Sequence, residues 1–146
     1  RLGYVAAPKR FAEAMVRVHQ YTTVCAVTFA QYGGYAALNG NQEEAEKMVL
    51  AFEKRRKLVC ERLEAMPGIE LIKPNGAFYA LPSVQGLGMS AKACSDYLLD
   101  KAKIAVVPGD AFGEFAQGTI RISFANSYEQ LEKAMDQMQT ALKALF

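Results

Sequence analysis

Apolar positions recur at two different spacings along this chain, and the change from one to the other divides it. After a short apolar run, Gly3–Ala7, which reads as a buried strand ended by Pro8, residues 9–21 ("KRFAEAMVRVHQY") set Phe11, Ala14, Met15, Val18 and Tyr21 at helical spacing. A second short helix is predicted from Thr28 to Leu38, closed by Asn39-Gly40, residues that tolerate the left-handed conformation of a helix end. Asn41 follows, with Glu44 three residues on, in a capping-box pattern. It opens a long helix whose apolar face is Ala45, Met48, Val49, Phe52, Val59, Leu63 and Met66, and which Pro67-Gly68 stops. At about 25 residues and 1.5 Å per residue, this helix would be about 37 Å long.

Beyond Gly68 the period shortens to two. "IELIK" (69–73) and "AFYAL" (77–81) read as strands joined by the turn signal Pro74-Asn75-Gly76. A glycine-rich loop, "PSVQGLGMS", leads to Ser90, the cap of a helix that carries Cys94, Tyr97 and Leu98. "IAVVP" (104–108) is a further predicted strand, and the loop "GDAFGEFAQG" separates it from "GTIRISFAN" (118–126). Ser127 with Gln130 forms a second capping box, and the final helix sets Leu131, Met135, Met138, Leu142 and Leu145 on one face. From residue 41 the order is helix, two strands, helix, two strands, helix. The fold class predicted is α+β, a small and mostly antiparallel sheet covered by helices.

Composition narrows the possibilities. A chain of 146 residues with 51% hydrophobic content fits one domain of ordinary size with a real core. Net charge is only +2, and the densest basic cluster, "EKRRK" at 53–57, has acids around it and reads as a solvated helix face, so nucleic acid is not an expected partner. Cys25, Cys60 and Cys94 are odd in number and lack metal-ligand spacing; they read as small buried hydrophobes in a reducing compartment, the cytoplasm. The methionines fall at helical intervals and read as core filler. No apolar run of about 18 residues exists, so no membrane-spanning helix is expected, and the opening residues lack a signal-peptide pattern. The chain begins "RLGYVAAP", without methionine and already inside a strand-like run, and the expectation is that it is cut from a longer protein.

Candidate chemistry is sparse. His19, the only histidine, lies in a predicted helix between Val18 and Gln20, and no serine or cysteine motif accompanies it. "GLG" at 86–88 lacks the strand-to-helix setting of a nucleotide fingerprint. What remains is Arg121, in mid-strand. Period two sends Ile120, Ile122 and Phe124 to one face and Thr119, Arg121 and Ser123 to the other. An arginine there serves solubility in most strands. Its alternative use is to grip an anion.

Four stretches in order, "RLGYVAAP", "PNGAFYALP", "VVPGDAFG" and "IRISFAN", closely resemble the C-terminal part of the pyridoxal-phosphate-dependent class I/II aminotransferases, the aspartate aminotransferase family of fold type I. The resemblance spans essentially the whole chain. It implies that residues 1–40 are the tail end of a large cofactor-binding domain, that 41–146 form the small substrate-clamping domain, and that the long helix connects the two. It implies an aminotransferase that moves an amino group from an L-amino acid of aspartate or aromatic type to a 2-oxo acid, working as a homodimer with pyridoxal 5'-phosphate.

By the same resemblance Arg121 grips the substrate's α-carboxylate. Arg1 corresponds to the arginine that holds the cofactor phosphate. Phe78 falls at an aromatic position near the substrate, with core packing as its other reading. Gly109 and Phe112 fall in a loop that borders the site, where Gly109 reads as shaping a turn. The family's Schiff-base lysine lies before the position of Arg1, and Lys9 and Lys73 stand in unlike contexts, so this chain alone would be inactive. Two other readings fit the resemblance: a lyase or synthase of the same fold, and the ligand-sensing domain of a transcription regulator.

Overall fold

The computed structural model describes all 146 residues, in two units, Arg1–Glu46 and Lys47–Phe146. The first contains α1 (Lys9–Thr22) and α2 (Thr28–Asn39), both close to the predicted bounds. Pro8 stands at the N-cap of α1, where its carbonyl accepts from the N–H groups of Phe11 (2.9 Å) and Ala12 (3.1 Å). Gly3–Ala7 is not a strand in the chain: a strand needs a hydrogen-bonding neighbour, and none pairs with it. Neither helix has a buried residue. Phe11 is 50% exposed, Val18 65% and Tyr21 91%, so the apolar stripe of α1 is uncovered, and Cys25 is exposed rather than buried.

Helix α3 (Glu43–Glu64) has 22 residues, about 33 Å at 1.5 Å per residue. Asn41 Oδ1 accepts the Glu43 N–H at 2.9 Å, as a capping residue does, and the helix begins one residue later than the cap pattern suggests. Its apolar face divides. Leu58, Val59, Cys60 and Leu63 are buried, whereas Met48 and Val49 in the first half are well exposed. Met15 and Met48 therefore stand in solvent, and of the methionines only Met66, Met135 and Met138 are core residues.

The second unit is the α+β layer that the alternation predicts. Its sheet has three strands, β1 (Tyr79–Ala80), β2 (Val107–Pro108) and β3 (Ile120–Ser123), in the order β1-β3-β2, antiparallel throughout. Tyr79 pairs with Ser123 and Ala80 with Ile122 on one side; Val107 pairs with Arg121 and Pro108 with Ile120 on the other. The predicted strands are longer than these. "IELIK" contributes one bridge, Glu70 to Ser83, with N–H to carbonyl bonds of 3.2 and 2.8 Å, and the hairpin at 74–76 does not form. Pro74 has no N–H to give a ladder, and Ala77 takes a positive φ of 59°, which breaks extended pairing just before β1. Pro108 likewise ends β2, at a sheet edge where proline is tolerated.

One face of β3 carries the core. Ile120 and Phe124 are fully buried and Ile122 nearly so. They meet Val59 and Leu63 of α3, Cys94 of α4 (Ala91–Tyr97), Leu98 of the π turn that continues it, and Leu131, Met135, Met138 and Leu142 of α5 (Tyr128–Lys143). Leu145, expected on that face, lies past the helix and is 37% exposed. The two serine caps form as the sequence suggests. Ser90 Oγ accepts the Ala93 N–H and Ser127 Oγ the Gln130 N–H, each at 3.2 Å. The Tyr97 hydroxyl donates to the Ala141 carbonyl at 2.8 Å, tying α4 to α5, and Arg62 of α3 pairs with Asp136 of α5.

Gly109 fixes the loop after β2 onto β3. Its N–H donates to the Thr119 carbonyl at 2.7 Å, and a Cβ there would run into the Ala116 carbonyl and Thr119 Oγ1. No side chain fits without moving backbone. Gly109→Ala is expected to lower stability by about 1–3 kcal/mol, the ordinary cost of overpacking, read from the urea midpoint. An unchanged midpoint would show that the loop has room to shift.

Burial also separates the cysteines. It pushes the Cys60 thiol up and the Cys94 thiol up to about 11, whereas Cys25 is open to solvent. One thiol is expected to react with Ellman's reagent at once at pH 8, the other two only on unfolding. An unfolded thiol loses its proton at a lower pH than the buried one, so the Cys94 contribution to stability declines as pH rises from the ordinary thiol range to about 11.

Candidate functional site

Arg121 points away from the core face of β3 and is half-buried. Its guanidinium carbon lies 4.6 Å from the centre of the Tyr79 ring and 4.5 Å from that of Phe112. The two rings come from opposite sides of the strand. Tyr79 belongs to β1 and is the diagonal cross-strand neighbour of Arg121, since it pairs with Ser123 two residues on. Phe112 ends the single turn of 3-10 helix, Gly109–Phe112, that follows β2, the strand whose Val107 pairs with Arg121. A guanidinium over an aromatic face is attracted by about 0.5–1 kcal/mol at an exposed site and about 2 kcal/mol when desolvated. None of the ion pairs in the chain engages Arg121. Its rings hold it by their attraction for its charge and leave its N–H donors uncommitted.

Arg55 also lies over a ring, that of Phe52 at 5.1 Å, but Arg56 and Arg62 are held differently. Arg56 is neutralised by Glu53, with Nε to Oε2 at 2.8 Å and a second bond at 2.9 Å, and the Arg56 guanidinium holds the Glu53 carboxyl below its usual range. Arg62 has Asp136. Arg121 is a cation with its donors uncommitted to any carboxylate of the chain, flanked by apolar rings that are 36% (Tyr79) and 48% (Phe112) exposed.

Phe78 adjoins this arrangement through Tyr79. Their ring centres are 4.5 Å apart, and Phe78 also meets Phe52 of α3 at 6.0 Å. The Phe78 carbonyl accepts the Phe124 N–H at 2.9 Å, so its backbone extends the β1–β3 pairing while its side chain remains 39% exposed. The structure therefore joins Phe78, Tyr79, Arg121 and Phe112 in one row of contacts. Tyr79 is the member that the sequence reading did not single out. Arg1 belongs to the first unit, where it is exposed. Gly109 acts through the backbone, by letting the loop that bears Phe112 lie against Thr119.

Pyridoxal phosphate needs a lysine amine in a sheltered place and an acidic partner for its ring nitrogen. Every lysine of the chain is exposed. Lys73 pairs with Glu64 at 3.0 Å and Lys9 with Glu13 at 3.8 Å. The residues present do not by themselves build a site for the cofactor, and its chemistry is not routed through them. His19 is exposed in α1, with Nδ1 at 3.0 Å from the Thr23 hydroxyl, and no group of His, Cys, Asp and Glu is arranged to hold a metal ion.

Comparison with known proteins places these residues in context. The family model for aminotransferase class I and II matches residues 1–138. The aromatic-amino-acid aminotransferase 2 of Thermococcus litoralis is 45% identical over 145 residues, and the aspartate aminotransferase of Pyrococcus abyssi is also 45% identical over 145 residues. In each case the match takes in 98% of this chain and 37% of the relative, so the chain spans little more than a third of the length of the proteins it resembles. The crystal structure of an aromatic aminotransferase from Pyrococcus horikoshii superposes with a TM-score of 0.87 at 42% identity, over 97% of this chain and 39% of that one. These matches span nearly the whole chain, and the chain belongs to the class I and II aminotransferases.

Proposed function

We propose that this chain is the substrate-clamping portion of a longer aminotransferase, which moves an amino group from an L-amino acid to a 2-oxo acid. In this reading residues 1–40 close the large cofactor domain, 41–146 form the small domain, and α3 runs between them. Pyridoxal 5'-phosphate is the cofactor, its lysine supplied from outside these residues, and Arg1 contributes to holding its phosphate. The working enzyme is a cytoplasmic homodimer. No helix of the chain is long and apolar enough to cross a membrane, which is compatible with that assignment.

The observation that carries the proposal is the state of Arg121. A planar guanidinium with no internal counter-ion can meet a carboxylate edge to edge, with two parallel charge-assisted hydrogen bonds. Two such bonds fix the direction of the carboxylate as well as its position. The α-carbon attached to it is then held in one place for the bond changes that occur there. A lysine at this position would attract the same anion without orienting it. Phe78 lies along the same row of side chains and offers an apolar contact to a bound substrate.

Replacement of Arg121 in the full-length protein tests this. A hydrogen bond to a charged group contributes about 1.5–3 kcal/mol, so Arg121→Ala is expected to lower kcat/KM for amino acids by about ten- to a hundredfold or more. Arg121→Lys should cost less than alanine. Cofactor content should be unchanged in both. If both variants keep wild-type kcat/KM, Arg121 is a solvated strand residue and the proposal fails.

The exposure of every lysine gives a second expectation. The 146-residue chain, mixed with pyridoxal phosphate and treated with borohydride, should incorporate it weakly and below one equivalent, as read by mass spectrometry. Stoichiometric attachment at one lysine would overturn the assignment of that role to a residue outside the chain.

A further inference from the structure

We infer that Tyr79 and Phe112 are positioning residues for Arg121: together they set the direction of its guanidinium, so that it meets a carboxylate in one orientation. The inference rests on the proposed role of Arg121 in binding the substrate carboxylate, and adds to it the means by which the fork is aimed.

An arginine side chain has four flexible torsions, and on a strand it would ordinarily sample many directions. Losing that freedom has an entropic cost, which a carboxylate-binding site must offset at the moment of binding unless it has been met already. Arg121 has no internal carboxylate to hold it. It has two rings, at 4.6 and 4.5 Å, anchored independently of each other. Tyr79 is fixed by its backbone pairing with Ser123 and by the Phe78 ring at 4.5 Å. Phe112 is fixed by the turn that Gly109 holds against Thr119. One ring would leave the guanidinium free to swing away on the other side. Two rings from opposite edges of β3 confine it.

The choice of aromatic residues has a chemical consequence. A ring attracts the cation but accepts no strong hydrogen bond, so the N–H donors stay available. A carboxylate partner would hold the guanidinium as firmly, as Glu53 holds Arg56, but would take up the donors that a substrate needs. Aromatic confinement thus orients the fork without spending it. Because both rings are also partly exposed, they remain in contact with whatever occupies the space beside Arg121.

The test is a double-mutant cycle in the full-length holoenzyme. Phe112→Leu and Tyr79→Leu keep apolar volume and remove the ring. Each is expected to raise KM for amino acid and 2-oxo acid by about three- to tenfold, with a smaller effect on kcat. Phe112→Tyr and Tyr79→Phe, which return a ring to each place, should recover most of that loss relative to leucine. In an Arg121→Ala background the leucine substitutions should add little, because the rings act through the arginine. Turnover of the amine left by α-decarboxylation of an aromatic amino acid, which offers no carboxylate, should be insensitive to both. If Arg121→Ala impairs the enzyme and the leucine variants add their full effect on top of it, the rings act elsewhere and the inference is wrong. The same holds if leucine at either position leaves KM unchanged. If Arg121→Ala is itself without effect, the underlying assignment of Arg121 fails first, a different result from either of these.

Discussion

Strand β3 is paired on both sides, and that constraint organises the second unit. Ile120, Ile122 and Phe124 must face inward to complete the core, so Arg121 between them must face outward. A register shift of one residue would bury the guanidinium and expose two isoleucines. The apolar face therefore determines where the charge stands, and the pairing on each edge determines what stands beside it. β1 brings Tyr79, and the turn after β2 brings Phe112. Core packing and the candidate site are two faces of one alternation.

The chemistry of the outward face is restrained in kind. Cysteines 60 and 94 are buried and protonated, and the one histidine lies outside this unit. Arg56 and Arg62 are matched by acids on their own or neighbouring helices. What the unit offers is a cation held by apolar rings, suited to binding and orientation rather than to proton transfer. On the proposed reading such a part would supply grip, and the bond chemistry would belong to groups outside these residues.

Much of this was legible in the sequence, and the failures share a cause. All five helices were visible because helical periodicity and caps such as Ser90 and Ser127 are local properties. Strand lengths were not, because a strand is defined by its neighbour. The "IELIK" run alternates well but has Pro74 after it and only Ser83 opposite, so it yields one bridge. The stripes of α1 and of the first half of α3 are apolar in sequence yet uncovered in the chain, so the burial assigned to Cys25, Met15 and Met48 did not follow. At the candidate site, period two marks Arg121 only as outward-facing, and the role expected of it, like the placing of Phe78 and Phe112, comes from the resemblance of their segments. Tyr79 was missed because its link to Arg121 is diagonal across two strands, and a diagonal neighbour is known only once the register is.

The brevity of β1 and β2 has a bearing on solubility. Each edge strand has two residues, and one of them ends in proline. An edge so short presents hardly any unpaired backbone on which a foreign strand could grow. Much of the exposed apolar surface of this chain lies on helices instead, where association needs matched side chains. The sheet itself is in this way shielded from the least selective route to fibrous aggregation.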